Sequence, residues 1–500
     1  MRTFSLPIAV CVAALSTSVL AQGTGSAKLT VAEGFGVRSG WDLASDDAYV
    51  ATRAGALESL TRIDFENKLQ PSLATSWKQT TPTTWEFTLR EGVKFHDSQP
   101  LNAATASNAL NNLLKAAIPA RAFSPKLVTS VEAVGSNVVR ITTSEPSVLL
   151  PSQVASPATS ILSPAAYKDG KVNPIGTGTG PFIIVEADPQ QRVLVKRNDT
   201  YWGGRPALEG AEIRFVIDPD TRSTQMRTGE ADIARIVAPW TVNQLKSIAK
   251  IKLEKKDNPR TTTLLLNNKK APLSDVKVRR AIQAAVDVAG LAAGVYEGVV
   301  QPAAGPFVPG DPWAPKDAKV AYNLDRAKAL IAEVGIKPGT VKLGLLAYTT
   351  RAELKDVAAV IQDQLKAVGI QVEIRLAEYK AIEPDLLSGN YDMALLSRGY
   401  LTDVAEPAGY LNADYTCGGS YNLSHYCDRE TDAKVKELFQ TGDVSKRHDL
   451  YRGIAEKLQA DAVSVYLIHE TTYDAYSVKV TGFRSHPQEY YLLTPALSVN

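Results

Sequence analysis

The sequence predicts an α/β fold built as two lobes, with the chain crossing between them twice. Three observations carry this. The region from Pro272 to Leu396 alternates helical and strand periodicities, the grammar of a largely parallel sheet with helices on its faces. Strand-like runs at 261–267 and 463–476 bracket that region on entry and exit. The chain has 500 residues, 44% hydrophobic and 22% charged, enough to bury more than one core. A lobe inserted through two neighbouring strands is hinged, because a few φ/ψ changes there rotate one body on the other. The expected division is a first lobe of 22–262 plus 470–500, carrying an inserted subdomain at about 52–172, and a second α/β lobe of 263–469.

Residues 1–21 stand apart. Met1-Arg2 is a basic start, 6–15 is an apolar run, and Val19-Leu20-Ala21 places small residues before a cleavage point. This pattern predicts a secretory signal peptide, since the apolar run is well short of the ~20 residues that span a bilayer. Gln22 stands where a lipoprotein needs cysteine, so the exported chain is expected to be soluble.

The elements then follow in order. Residues 28–32 alternate as a strand, and 48–60 offer apolar positions at helical spacing. Between 77 and 94 two alternating runs predict antiparallel strands; 102–114 predicts a helix capped by Asn102, and 138–142 another strand. The glycine-rich run Gly176-Thr177-Gly178-Thr179-Gly180-Pro181 precedes the strand 182–186. It matches neither GxGxxG nor GK[ST], and no helix follows, so it predicts a tight turn rather than a phosphate cradle. Beyond Pro272 the pattern gives helices at 276–296, 324–334 and 352–368, with strands at 341–347, 372–376 and 392–396. The chain closes on strand material at 464–468 and 472–478.

Net charge is +2, with lysine and arginine dispersed; no basic block interleaved with aromatics suggests a nucleic-acid partner. Cys417 and Cys427 are the two cysteines outside the leader. An even pair in an exported chain predicts a disulfide. Closing so short a loop is worth about 2–3 kcal/mol, which shapes the loop rather than holding the molecule together. A zinc site would call for C-x2-C spacing, which is absent.

Catalytic apparatus is not visible. Gly418-Gly419-Ser420-Tyr421-Asn422 lacks the last glycine of a nucleophile elbow. His469-Glu470-Thr471-Thr472-Tyr473 begins like a zinc-protease motif but puts tyrosine where the second histidine must stand. A secreted hydrolase is therefore the disfavoured alternative.

Six collinear segments resemble a known family: Leu73-Ala74-Thr75-Ser76-Trp77; 84–97, ending Lys94-Phe95-His96-Asp97; Gly178-Thr179-Gly180-Pro181-Phe182; Arg197-Asn198-Asp199-Thr200-Tyr201-Trp202; Val278-Arg279-Arg280-Ala281-Ile282; and Tyr322-Asn323-Leu324-Asp325-Arg326-Ala327. Together they resemble the family 5 solute-binding proteins of ABC importers, which include dipeptide-, oligopeptide- and nickel-binding proteins. The resemblance implies a bilobal periplasmic-binding-protein fold of type II with an extra subdomain in the first lobe. It further implies a monomer in the periplasm that passes a small ligand to a membrane permease and catalyses nothing. The implied ligand is a carboxylate-bearing solute such as a di- or oligopeptide. The alternative is a nickel–histidine or opine-type metal chelate, in which case the only metal is the one inside the chelate.

The resemblance also marks residues. Arg351, after the strand 341–347, resembles the arginine with which dipeptide binders grip a ligand carboxylate; Arg398 resembles one seen in nickel-chelate binders. Tyr400 and Glu406, within 397–407 at a strand's carboxyl end where ligands of α/β sheets collect, correspond to an aromatic residue and the acid of an acid–proline pair beside the ligand, and Asp403 between them is a further ligand-binding candidate. Tyr421, Asn422 and His425 lie in the cysteine-bounded loop, which contacts the chelate in metallophore binders. Trp41 and Tyr49 are candidates for an aromatic wall supplied by the first lobe, as a cleft for a small polar solute needs aromatic surfaces and a few aimed polar groups.

Overall fold

The computed structural model describes residues 28–319, 322–349, 351, 353–401 and 404–500; the expected leader at 1–21 lies outside the described residues. Two antiparallel strands, Ile251–Leu266 and Ser464–Ser477, run through the middle of one large sheet. Their outer halves belong to different bodies. Near one end, Ile233–Ala234 pairs with Ala475 and Tyr476, and the sheet continues through Leu29–Glu33, Gly210–Phe215, Arg192–Arg197 and Phe182–Asp188. Near the other end, Arg260 to Leu266 pairs with Met393–Gly399, followed by Val341–Tyr348 and Ile370–Ala377.

Between the two ends the ladder is interrupted. Pairing of Asp257 with Thr471 is followed only by that of Thr261 with His469, so residues 258–260 bulge out of register. Beyond the break, Thr261 to Leu266 are all buried, the near-continuous pattern of a strand covered on both faces. The last three strands of this half are mutually parallel, while Ile251–Leu266 runs against Met393–Gly399. The sheet is therefore mixed rather than wholly parallel.

Separate apolar cores lie on either side of the interruption. One joins Leu29, Val31, Phe87, Phe182, Ile213 and Leu493; the other joins Leu264, Ile282, Leu345, Ile361, Leu395 and Leu467. The first body also carries a four-stranded antiparallel sheet, Ala74–Thr81, Thr84–Leu89, Val138–Thr143 and Val128–Val134, covered by the helix Ala103–Leu113. Asn102 caps that helix as expected: its Oδ1 accepts from the Thr105 backbone N–H, and Thr105 Oγ1 accepts from Asn102 N–H, both at 3.0 Å. Away from the crossing strands, Val148 N–H donates to Phe439 O at 3.0 Å and Leu149 packs with Phe307 and Tyr400, so the two bodies also touch there.

The glycine-rich turn is a close-approach device. A Cβ at Gly178 or Gly180 would stand 2.1 or 2.2 Å from the carbonyl oxygens of Ala56 and Gly55, so only glycine lets these backbones meet. Beside it, the buried carboxylate of Glu58 accepts from Tyr201 Oη (2.7 Å), Trp202 Nε1 (2.9 Å) and Thr179 Oγ1 (2.8 Å). Burial raises the Glu58 pKa against these bonds. The segments around 178 and 201 thus tie three parts of the first body together. In the second body Arg279 does the same, donating to the carbonyls of Leu273, Ser274, Asp461 and Ala462.

Three elements differ from the sequence pattern. The single helix expected at 276–296 is two, Val276–Ala285 and Val288–Val295, because Asp287 caps a new start by accepting from Gly290 N–H at 2.9 Å. The helix expected over 48–60 is only Asp47–Arg53, ended where Gly55 takes φ +66° and a Cβ would meet Leu493 O at 2.6 Å. The two closing strands are one unbroken strand, Ser464–Ser477. The helices Arg429–Gln440 and Val444–Ala460 were not anticipated, although Asp428 and Asp443 are aspartate caps directly before them.

Candidate ligand-binding cleft

The two bodies face each other across a cavity of about 740 Å³, within the about 300–1,000 Å³ usual for small-molecule sites. Glu33, Phe35, Arg38, Tyr49, Arg53 and Tyr490 form part of its first wall. The crossing strands supply the base through Asn258, Arg260, Glu470 and Thr472, and the second body contributes Tyr348, Arg351, Tyr379, Ser397, Arg398 and Tyr421. In all, seven arginines and four carboxylates line it, an excess of three positive charges that favours anionic guests.

Most of these charges are held by the protein itself. Arg351 forms a two-bond pair with Glu470, at 2.5 and 2.8 Å. Glu470 Oε1 also accepts from Thr262 Oγ1 (2.9 Å) and from Ser397 Oγ. Burial alone would raise the Glu470 carboxyl, but the Arg351 and Arg260 charges and these bonds outweigh it and hold it at about 2. Arg398 is likewise paired twice with Asp414, at 2.8 Å each, and its guanidinium stacks 4.6 Å from the centre of the Tyr421 ring. Tyr421 Oη meets Tyr379 Oη and donates to Glu383 Oε1 at 2.8 Å. Tyr348 packs edge-on against Tyr379 at 5.3 Å, so three tyrosines and two arginines make the second wall.

On the first wall, Arg53 donates to Glu489 Oε2 (3.1 Å) and to its backbone carbonyl (2.8 Å). Arg235, behind it, meets Glu33 Oε2 at 2.7 Å. The buried Glu33 Oε1 has no hydrogen-bond partner among the described residues. Arg222 is fixed by the carbonyls of Val216, Ile217, Arg235 and Ile236. Arg38 is exposed and lies 4.5 Å over the Phe35 ring.

Of the residues marked in the sequence, the structure brings Arg351, Arg398, Tyr421 and Tyr49 to the cavity. It places the others elsewhere. Tyr400 is 1% exposed, donating to Asp311 Oδ2 at 2.6 Å and accepting from Val308 N–H. The strand ends at Gly399, so the alternation that aims Arg398 at the cleft no longer applies two residues on. Burial raises Asp311 beneath Tyr400 to about 6. Glu406 is consumed by Arg447, at 2.6 and 2.9 Å, and by Tyr451 Oη at 2.9 Å; it is an internal tie of the helical part of the second body.

Asn422 closes its own loop, with Nδ2 donating to the carbonyls of Thr416 and Tyr426. His425 takes φ +53° and its Nε2 bonds Leu386 O at 3.0 Å. Trp41 is buried in the first core, where Asp47 Oδ2 accepts from its N–H. None of these lines the cavity. Asp403 lies outside the described residues. Cys417 and Cys427 are joined in a disulfide, which encloses the loop carrying Tyr421.

The near-motif at 469–473 falls on a strand, not a helix. His469 is buried with Nδ1 on Thr261 Oγ1, while Glu470 belongs to the arginine pair. Among the described residues no group of three histidine, cysteine or acidic side chains is close enough together to hold a metal ion, and no helix is long and apolar enough to cross a membrane. The residues that sequence reasoning missed, including Glu33, Arg38, Arg53, Asn258, Arg260, Tyr348 and Tyr379, come from segments more than 300 residues apart. No local pattern could have linked them.

Two bodies sharing a pair of long strands, with an arginine-rich crevice between them, define the class of two-lobed binding proteins. The chain belongs to the bacterial extracellular solute-binding proteins, family 5, whose model matches residues 68–422. The nickel-binding protein NikA of Staphylococcus aureus is 27% identical over 448 residues, 89% of each chain. Di/tripeptide-binding protein 2 of Pseudomonas aeruginosa is 28% identical over 482 residues, covering 89% of this chain and 88% of its own. A crystal structure described as a nickel ABC transporter from Bacillus halodurans is 28% identical, superposes with a TM-score of 0.81 and spans 94% of this chain and all of that one. Members of the family are binding proteins.

Proposed function

We propose that the chain is the periplasmic substrate-binding component of a peptide/nickel-type ABC importer. In this role it is exported by its leader, soluble and monomeric, and it captures a small carboxylate-bearing solute without chemically altering it. The observation that carries this reading is the excess of arginine over carboxylate lining a crevice between two bodies, in a chain of this family. The proposed lobes are 22–262 with 470–500, and 263–469. The interruption at 258–260 supplies the pivot between them. A di- or oligopeptide is the favoured ligand class. A metal–organic chelate is the second reading, favoured by the nickel-binding relative; it too displays carboxylates.

Ligand held by both walls favours the closed arrangement only to the extent that it binds that arrangement better. Native mass spectrometry of the exported protein, combined with metal analysis, is expected to reveal a retained small molecule or to identify one from a dipeptide and nickel–histidine panel. Adding that compound should reduce the radius of gyration in X-ray scattering. A saturating ligand that leaves the scattering unchanged, or is returned chemically altered, would overturn this function.

Arg351→Ala and Arg398→Ala are each expected to weaken ligand binding by at least ~1.5 kcal/mol in calorimetry, because each removes a charged donor from the cleft and breaks the paired hydrogen bonds to Glu470 or Asp414. Unchanged affinity in both would remove these arginines from the site.

A further inference from the structure

We propose that Asn258 and Arg260 together form an anion seat at the base of the cleft, and that it takes a carboxylate of the ligand. This rests on the binding function proposed above and names the group recognised there. Both residues line the cavity, and both lie in the stretch where the crossing strands lose register, between Asp257 and Thr261. This bulged stretch thus brings a primary amide and a guanidinium to the same crevice.

Several of their donors are uncommitted. Asn258 is only 6% exposed, and its Oδ1 accepts from Thr472 Oγ1 at 3.3 Å, which leaves the Nδ2 donors without a partner among the described residues. Arg260 Nη1 donates to Ser397 O and Oγ at 3.2 and 3.3 Å, while its Nε and Nη2 bond nothing there. No described carboxylate pairs with it. Glu470, whose charge Arg260 does influence, is closed by Arg351.

The contrast with the other arginines favours this assignment, since Arg38 is exposed over the Phe35 ring and Arg53 holds Glu489. Arg351, marked by the family resemblance for a ligand carboxylate, and Arg398 each already hold an internal acid; Arg222 is saturated by backbone carbonyls. Arg260 is half-buried, and among the described residues no carboxylate forms an ion pair with it; Glu470, which its charge influences, is engaged by Arg351. A cation in that position is stabilised by an incoming anion, and a planar guanidinium beside an amide offers the parallel donors that a carboxylate accepts. Because the seat sits on a strand shared by both bodies, its occupant leaves the rest of the ligand free to meet both walls.

The test titrates dipeptides, their C-terminal amides, and nickel(II) with two equivalents of L-histidine against the wild-type chain, Arg260→Gln, Arg260→Lys and Asn258→Ala. Acid-bearing probes are expected to lose about tenfold or more in affinity with Arg260→Gln and several-fold with Asn258→Ala. Arg260→Lys, which keeps the charge but not the fork, should fall between wild type and Arg260→Gln. The amides should bind the wild-type chain weakly and be indifferent to all three substitutions. The seat is overturned if acids bind Arg260→Gln as tightly as wild type, or if amides match acids on the wild-type chain. If no probe binds the wild-type chain at all, the proposed ligand class falls as well as the seat, and that pattern separates the two failures.

Discussion

Replacing Arg235 with methionine is expected to lower the stability of the folded chain by about 3–5 kcal/mol, the cost of breaking a buried ion pair by removing one partner. Arg235 is 3% exposed, donates to Glu33 at 2.7 Å, and lies 3.8 Å from both Asp474 and Glu489. With methionine there, the one ion pair left to Glu33 among the described residues is that with Arg53, at 3.7 Å, and its Oε1 already has no hydrogen-bond partner there. Asp474 retains the Ile236 N–H and Ser485 Oγ donors but loses its nearest cation. Adding Glu33→Gln to Arg235→Met should restore part of the loss, because the stranded charge disappears with it. Urea unfolding of the single and double variants measures both; a single-variant loss under about 1 kcal/mol would show that the cluster does not hold the first wall.

Acid is expected to weaken the fold from about pH 6.5 downward. Burial holds His486 at about 3 and His469 at about 4, both below the ordinary 6.5. Each is therefore neutral in the folded chain at a pH where the unfolded chain binds a proton. The sign follows directly: stability is full above about pH 6.5 and falls as pH drops toward the folded values. Between about pH 6.5 and pH 5 each histidine should remove about 2 kcal/mol, 1.4 kcal/mol per pH unit. The Glu470 contribution, with its carboxyl at about 2, is lost only below about pH 4.5 and does not enter this window.

The bonding explains why these rings resist protonation. His486 Nδ1 accepts from the N–H groups of Gln488 and Tyr490 while Nε2 donates to Ile63 O, and Lys256 stands near enough to oppose a second positive charge. His469 Nε2 is buried without a hydrogen-bond partner among the described residues. Urea midpoints at pH 7 and pH 5 test this, with His469→Phe and His486→Phe each expected to flatten the dependence. Equal wild-type stability at the two values would contradict it.

How far the site was legible from the sequence differs residue by residue. Arg351 and Arg398 are reached from the strand pattern and the family resemblance, and both line the cleft. Their pairing with Glu470 and Asp414 was not legible, since those acids sit 119 and 16 residues away. Tyr400 and Glu406 lie within eight residues of Arg398, yet they face inward: a strand end at Gly399 redirects the chain, and local sequence does not say which way a side chain turns after a strand stops. Asn258 and Arg260 carried no signal, because their exposure to the cleft comes from a register break between two strands some 200 residues apart.

The sequence by itself determined the α/β class, the two crossings, the cysteine pair and the family, because periodicity, cysteine spacing and collinear motifs are properties of neighbouring residues. The tertiary structure alone decided which charges remain open to a guest. Whether an arginine is available depends on which carboxylate folding brings within reach of it, and that partner is chosen by packing across the whole chain rather than by position along it.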